Sequence, residues 1–319
     1  MRAGWGYKFP YRNRFPMKLQ ETPVPSVEWL TLAILAGNYL AWFGLLSLYQ
    51  YYPLASVPLL GLCLAMHLSL QHELIHGHPT RITWFNDLLG TPPISLVYPY
   101  AEYKRSHLEH HKDEQLTTPG VDPESFFHTR EHWNRMGPLS KALWWANMTL
   151  LGRLLINPVR SAVNMAVLCV RQLLGGTPVQ RLNWTGHILG VSAILWLVHS
   201  VFSVPIWAYL VAAHMGHALI SMRSFYEHRV ANDPMKRIVV VESCRFFQIL
   251  FLNNNFHAVH HRHPGMPWYR LKAKFLRERD DTLERNGGFY FSGYLEWLRF
   301  LVRPVAPPVY PALLTGPDT

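Results

Sequence analysis

The sequence predicts an all-α integral membrane protein in which four transmembrane helices form two hairpins beneath a cytoplasmic helical cap. Three observations lead there. Hydrophobic residues make up 49% of the 319 positions and charged residues only 16%, a balance poor in charge for a soluble domain. The mean hydropathy is nevertheless near zero, so apolar spans must share the chain with a polar portion of comparable size. The third observation is where the eighteen histidines fall: half of them gather just beyond the ends of the apolar stretches.

Taken in order, Met1 to Met17 carries Arg2, Lys8, Arg12 and Arg14 with no acidic residue, and Pro10 and Pro16 interrupt it, so it reads as an irregular basic tail. It lacks a small-residue cleavage site after a short apolar core and is expected to be retained. From Trp29 to Leu48 the chain is apolar for long enough to cross a bilayer, and after Tyr49 to Pro53 a second stretch runs from Leu54 to Leu70, giving the first hairpin. A second pair, Ile188 to Phe202 and Ile206 to Ile220 after Pro205, is short but extendable at its ends. Between the hairpins, Leu139 to Val170 mixes Trp144, Trp145 and Leu150 with Lys141, Arg153 and Arg160, the pattern of helices lying in the membrane interface. Arg153, Asn157-Pro158 and Arg160 in its centre argue against a further pair of spans there. The short turns at Tyr49 to Pro53 and Ser200 to Pro205 hold no Lys or Arg, which predicts that both termini and the middle segment face the cytoplasm.

The net charge of +10 is not organised into a stripe with stacking aromatics, so nucleic acid is excluded as a partner. Cys63, Cys169 and Cys244 are widely spaced and form no C-x-x-C pair, so neither a disulfide framework nor a cysteine-ligated iron centre is indicated.

Three clusters carry the chemistry: His72-Glu-Leu-Ile-His76, His107-Leu-Glu-His110-His111 and His257-Ala-Val-His260-His261. Positions i, i+3 and i+4 share a helix face, so each cluster presents two or three imidazoles together. At this histidine content, random placement gives His-x-x-His-His roughly once in twenty chains, and two far more rarely. The first cluster follows the second span, the second lies in the middle segment and the third follows the fourth span, all on one side of the membrane, so packing the hairpins side by side would assemble one composite site. Eight imidazoles suit two metal ions, since one ion takes about three or four protein ligands. His228, just past the fourth span in Arg223-Ser-Phe-Tyr-Glu-His228, is a ninth candidate.

At these residues the chain resembles the membrane fatty-acid desaturase and hydroxylase superfamily, whose three histidine boxes and additional histidine hold two irons. The likeness runs from the first span to about Leu271 and implies a single domain over 1–319: a cytoplasmic tail over 1–27, a desaturase core over 28–271 and a cytoplasmic tail over 272–319. Family ligands then fall on His72, His76, His107, His110, His111, His228, His257, His260 and His261. The stretch Asn253-Asn-Asn-Phe-His-x-x-His-His with Pro264, Pro267, Trp268 and Tyr269 looks especially like bacterial desaturases, implying a bacterial inner membrane. The three-residue spacing in the first box departs from the animal acyl-CoA enzymes, which have four. Thr118-Pro-Gly-Val-Asp-Pro-Glu and the aromatic-Glu-His228 triplet look like membrane alkane hydroxylases. The resemblance therefore implies two iron ions, dioxygen and an acyl-chain substrate that is desaturated, with hydroxylation of an alkane or other lipid as the alternative. With no C-x-x-C and no Gly-rich dinucleotide loop, electrons must come from a separate protein such as ferredoxin or rubredoxin with its reductase.

Other readings compete at particular residues. His72-Glu73-Leu-Ile-His76 also satisfies H-E-x-x-H, the signature of a zinc metalloprotease with Glu73 as general base, but that leaves the other two boxes unexplained. His261-Arg-His263-Pro-Gly265 resembles part of the haem motif of small b-type cytochrome domains, yet it overlaps the third box. A metal transporter would spread its ligands along the spans instead of beyond them. His78 and His263 flank boxes and are expected to support ligands; His214 and His217 lie within the fourth span and are functional candidates by position. His67, His128, His132, His187 and His199 read as polar or interfacial contacts. Asp113, Glu114, Asp122 and Glu124 form an acidic run that could orient ligands but reads first as a solvated loop.

Overall fold

The computed structural model describes residues 25–112 and 115–311. The basic tail and the acidic pair Asp113 and Glu114 lie outside the described residues.

Helices account for almost all of the regular structure. Helix α1 (Trp29–Leu48) and α2 (Pro53–Ile75) form the first hairpin, followed by α3 (Thr83–Gly90) and α4 (Tyr100–His110). The middle segment folds into α5 (Arg130–Arg135), α6 (Pro138–Asn147), α7 (Leu150–Leu155) and α8 (Asn157–Gly175). The second hairpin is α9 (Pro178–Trp196), prolonged by a π-helical turn over Leu197–Val201, and α10 (Ile206–Arg223). Beyond it come β1 (Val240–Val241), α11 (Arg245–Leu250), α12 (His257–Arg262), α13 (Trp268–Arg277), α14 (Arg279–Arg285) and β2 (Tyr290–Phe291). Proline opens α2, α6 and α9 in the first turn, where its missing N–H costs nothing.

Among the described residues, three helices are long and apolar enough to cross a membrane: α1, α2 and Pro178–Val201. The first matches the expected span residue for residue. The second runs on through Ile75, so the first histidine box begins inside its last turn instead of after it. The third starts ten residues before Ile188, at a capping box in which Thr177 and Gln180 satisfy each other's backbone N–H groups. Helix α10, expected as the fourth span, does not reach the same apolarity, because His214, His217 and Arg223 interrupt it.

Helix α10 can carry polar groups because α2 shelters it. A Cβ on Gly216 would lie 3.0 Å from Leu64 Cβ and 3.1 Å from Gly61 O, and one on Gly61 would lie 2.9 Å from Met215 Cβ, so the two backbones approach at a glycine on each side. Around this contact Ala208, Ala212 and Ala213 are buried with Leu60 and Leu64. Tyr209 accepts a hydrogen bond from Trp42 Nε1 of α1 (2.9 Å) and donates to Ile94 O (2.6 Å). His217 donates from Nε2 to the next carbonyl, Ser95 O, at 2.9 Å. Two carbonyls of the non-helical segment 91–99 are thus satisfied by α10 side chains, and a third, Leu96 O, by His187 of α9, as buried irregular backbone requires.

Helix α8 is turned the opposite way from a soluble helix. Val159, Val163, Val167 and Val170 are exposed, while Asn157, Ser161 and Gln172 are buried. An outward apolar stripe over an inward polar face is what an interfacial helix needs.

The carboxy-terminal tail expected from residue 272 is not a tail. Phe275 and Trp297 are fully buried, as are Phe289, Phe291 and Tyr294, and β2 pairs in parallel with β1 through Val240 with Tyr290 and Val241 with Phe291. Phe289, Phe291, Tyr294 and Trp297 pack with Phe225, Leu250 and Phe251, and Phe275 with Phe256 and Val259, so residues 272–310 brace the segments that hold His228 and the third box.

Candidate metal centre

The last turn of α4 supplies His107 and His110, with His111 as its C-cap; α2 ends at His72 and His76; α12 opens on His257 and carries His260 and His261. His228 lies in the connection after α10, where it bridges to Ile238. All nine side chains meet. They form two groups, His72, His76, His107, His111 and His260 in one and His110, His228, His257 and His261 in the other, and within each group the ligand atoms lie within 4.8 Å of one another. Each group draws on at least two boxes, which is why no box could form a site alone.

In the first group Nε2 of His107 is 3.0 Å from Nε2 of His76 and 3.1 Å from that of His111, which is 3.1 Å from His260 Nε2. In the second, His228 Nε2 is 3.1 Å from both His110 and His257, and His257 is 3.0 Å from His261. These contacts are not a hydrogen-bond network. His107 Nδ1 faces Glu124 (3.0 Å), His110 Nδ1 faces Asp122 (2.8 Å) and His257 Nδ1 faces Asn254 Oδ1 (3.0 Å). Each acceptor holds the proton on Nδ1 and leaves the Nε2 lone pair bare toward its neighbours. Converging lone pairs fit a cation between them. Ligands about 2.1 Å from a shared ion stand roughly 3 Å or a little more apart, and the closest nitrogens in each group stand at that spacing.

Electrostatics agree. Burial, followed by the neighbouring imidazoles, pushes His111 and His228 down to about 3 and holds His257, His260 and His261 well below the usual histidine range, keeping them neutral and able to ligate. His110 is the exception: burial opposes its charge, but Glu124 and the Asp122 hydrogen bond outweigh burial and raise it to about 9. The basicity that favours a proton on His110 also favours a metal.

Asp122 and Glu124, expected in a solvated loop, are therefore part of the centre. The chain reverses at Thr117 and Gly120, both with positive φ, and returns the two carboxylates to α4. Asp122 also accepts the backbone N–H groups of Thr117 (2.8 Å) and Glu124 (2.9 Å). Asp122→Asn should weaken metal binding roughly ten- to hundredfold, measured by competition with a chelator of known affinity, while the helices stay folded by circular dichroism. Asn254 was likewise not foreseen: it joins the two groups, with Nδ2 3.3 Å from His72 Nε2 and Oδ1 accepting from His257. Its position three residues before His257, one helical turn away, was the available signal.

The family follows from the sequence over most of its length. A family model for fatty acid desaturases matches residues 47–294. The chain belongs to the fatty acid desaturase family. No protein of curated function matches it. Membership makes this desaturase-family chain an oxidoreductase acting on lipid, and its histidine groups a fit for metal.

The zinc-protease reading finds no support in this desaturase-family site. His72 and His76 share their group with three further histidines, and Glu73 is buried with Oε2 accepting the Trp268 N–H at 3.2 Å, leaving it no access to a peptide. His78 pairs with Glu28 at 2.5 Å, and neither it nor His263, His214 or His217 joins a metal group. A cavity of about 420 Å³ opens beside His107 and His228. It lies under the inward face of α8 and against α10, and its lining is both polar and apolar.

Proposed function

We propose that the protein is a di-iron, dioxygen-dependent desaturase of a fatty acyl chain in a membrane lipid or a carrier-bound fatty acid. The observation that carries this reading is the division of nine imidazoles into groups of five and four, more than one ion can use and a donor set that suits iron. His72, His76, His107, His111 and His260 would hold one ion, and His110, His228, His257 and His261 the other. When bound, the two irons supply the one-electron and dioxygen chemistry needed to take hydrogen from an unactivated methylene.

The chain's own residues do the rest. Asp122, Glu124 and Asn254 fix ring orientation, and the cavity places one stretch of the acyl chain beside His107 and His228 while the buried surroundings exclude water. We take α10 as the fourth span, with both termini and the centre at the cytoplasmic face of a bacterial inner membrane. There a soluble donor such as ferredoxin or rubredoxin with its reductase has access. Hydroxylation of an alkane or other lipid is the second reading, favoured by the hydroxylase-like run from Thr118 to Glu124, whose carboxylates contact His107 and His110.

Purified protein is expected to contain about two irons per chain, and lipid extracts of expressing cells to contain a new double bond. A hydroxylated product would select the second reading. Stoichiometric zinc, with activity surviving iron removal, would overturn both.

A further inference from the structure

The charged side chains around the cavity are matched in pairs, with one exception. Arg105 meets Glu102 at 3.1 Å and Arg223 meets Glu227 at 3.1 Å; Glu124 and Asp122 are engaged by His107 and His110. Arg160 lines the same cavity and among the described residues has no carboxylate within 4.0 Å. Asn157 Oδ1 accepts from its Nε (3.2 Å) and Nη2 (2.6 Å), and Trp144 lies 4.5 Å beneath the guanidinium. The fork is held in one plane and Nη1 is left over. Behind it sits a second cation, Arg153, 1% exposed, its guanidinium 3.7 Å from the ring of Phe126, which also lies 5.8 Å from that of Arg160. Arg153 Nη1 has no hydrogen-bond partner, and neither does the buried side chain of Asn147, whose carbonyl accepts from Arg153 Nε.

A guanidinium stays charged at any physiological pH, and a buried charge without a counter-ion is costly. Of the two flanking this ring, Arg153 lies within the field of Glu227, whereas Arg160 at the cavity wall has no such carboxylate among the described residues and calls for an anion from outside the chain. The same cavity offers Leu68, Met165, Leu168 and Ile220 to an apolar body.

We propose that Arg160, backed by the field of Arg153, binds the anionic end of the substrate, a carboxylate or phosphate carried on an acyl chain whose methylenes lie along Leu68, Met165, Leu168 and Ile220. This rests on the cavity being the lipid site of the proposed oxidation. Tyr98 and Tyr103 are in ring contact at 6.2 Å, and Tyr103 and His107 at 5.7 Å, and Tyr98 lines the cavity together with Arg160. The anchored end is therefore a short, fixed distance from the histidines, and the position oxidised is counted from the charged end of the chain.

The test uses the full-length protein in a neutral detergent, with radiolabelled palmitate as probe and hexadecanol and palmitoyl lysophosphatidate as competitors. Palmitate should bind at least about tenfold more tightly than hexadecanol. Arg160→Gln should erase that preference, and Arg160→Lys should restore part of it, with metal content unchanged in both. Stronger competition by lysophosphatidate than by unlabelled palmitate would identify a phosphate end, and the reverse a carboxylate. Hexadecanol competing as well as palmitate against the unaltered protein overturns the proposal whatever the variants do, as does an undiminished charge preference in Arg160→Gln. A charge preference in a protein that oxidises no lipid would instead sink the desaturase reading and leave the anion site standing.

Discussion

Replacing His228 by alanine is expected to reduce bound metal from about two ions per chain to about one and to abolish product formation. Of the nine proposed ligands, His228 has the least support from sequence spacing, and its case rests on geometry. Its Nε2 is 3.1 Å from both His110 and His257, so it stands between the second and third boxes within the four-histidine group. Removing it leaves three imidazoles, and the bare Nε2 of His110 and of His257 lose the contact between them. The five-histidine group shares no member with this one and should keep its ion. The matching change at exposed His132 should alter neither metal nor turnover, since surface substitutions away from such features do little. Metal analysis of the two variants decides it: full occupancy and normal turnover in His228→Ala would reduce the site to eight histidines.

The box histidines were legible in sequence because helix periodicity sets them on one face, and His228 only through its place just past the fourth span taken together with the family resemblance. What the sequence concealed has physical causes. Asp122 and Glu124 reach the centre through a reversal at Thr117 and Gly120, and a carboxylate between prolines and glycines carries no periodic signal that separates a ligand's partner from a solvated loop. Helix α9 opens on Gln180, Arg181 and Asn183, so hydropathy placed its start ten residues late, although Thr177-Pro178 with Gln180 was already a capping signature. Phe289, Phe291, Tyr294 and Trp297 enter the core from strand and 3-10 geometry around Gly287, Gly288 and Gly293, spacings that match no single period. Helix α10 hid its role for the opposite reason. Its buried face of Ala208, Ala212 and Gly216 is small instead of apolar, because what it buries against is the backbone of α2.

That backbone contact carries the second large effect, expected for Gly216→Leu: loss of both metals together with a much lower melting temperature. The first added carbon would already stand 3.0 Å from Leu64 Cβ, 3.1 Å from Gly61 O and 3.2 Å from Ala65 N, and two of those three atoms are backbone that no rotamer can move. Overpacking a core typically costs about 1–3 kcal/mol, and here relief requires moving one helix away from the other. The two helices are also the supports of the centre: α2 ends at His72 and His76, and α10 leads within five residues to His228. Metal ligation tolerates shifts of only about 0.2 Å, so a separation large enough to seat a leucine misplaces ligands in both groups. Gly44→Leu makes the same change in α1, where nothing lies within 4 Å of the added carbon, and should leave metal content and melting temperature as they were. The comparison isolates the helix contact from any general effect of leucine in a span: equal behaviour of the two variants would show that the α2–α10 approach does not hold the histidines in place.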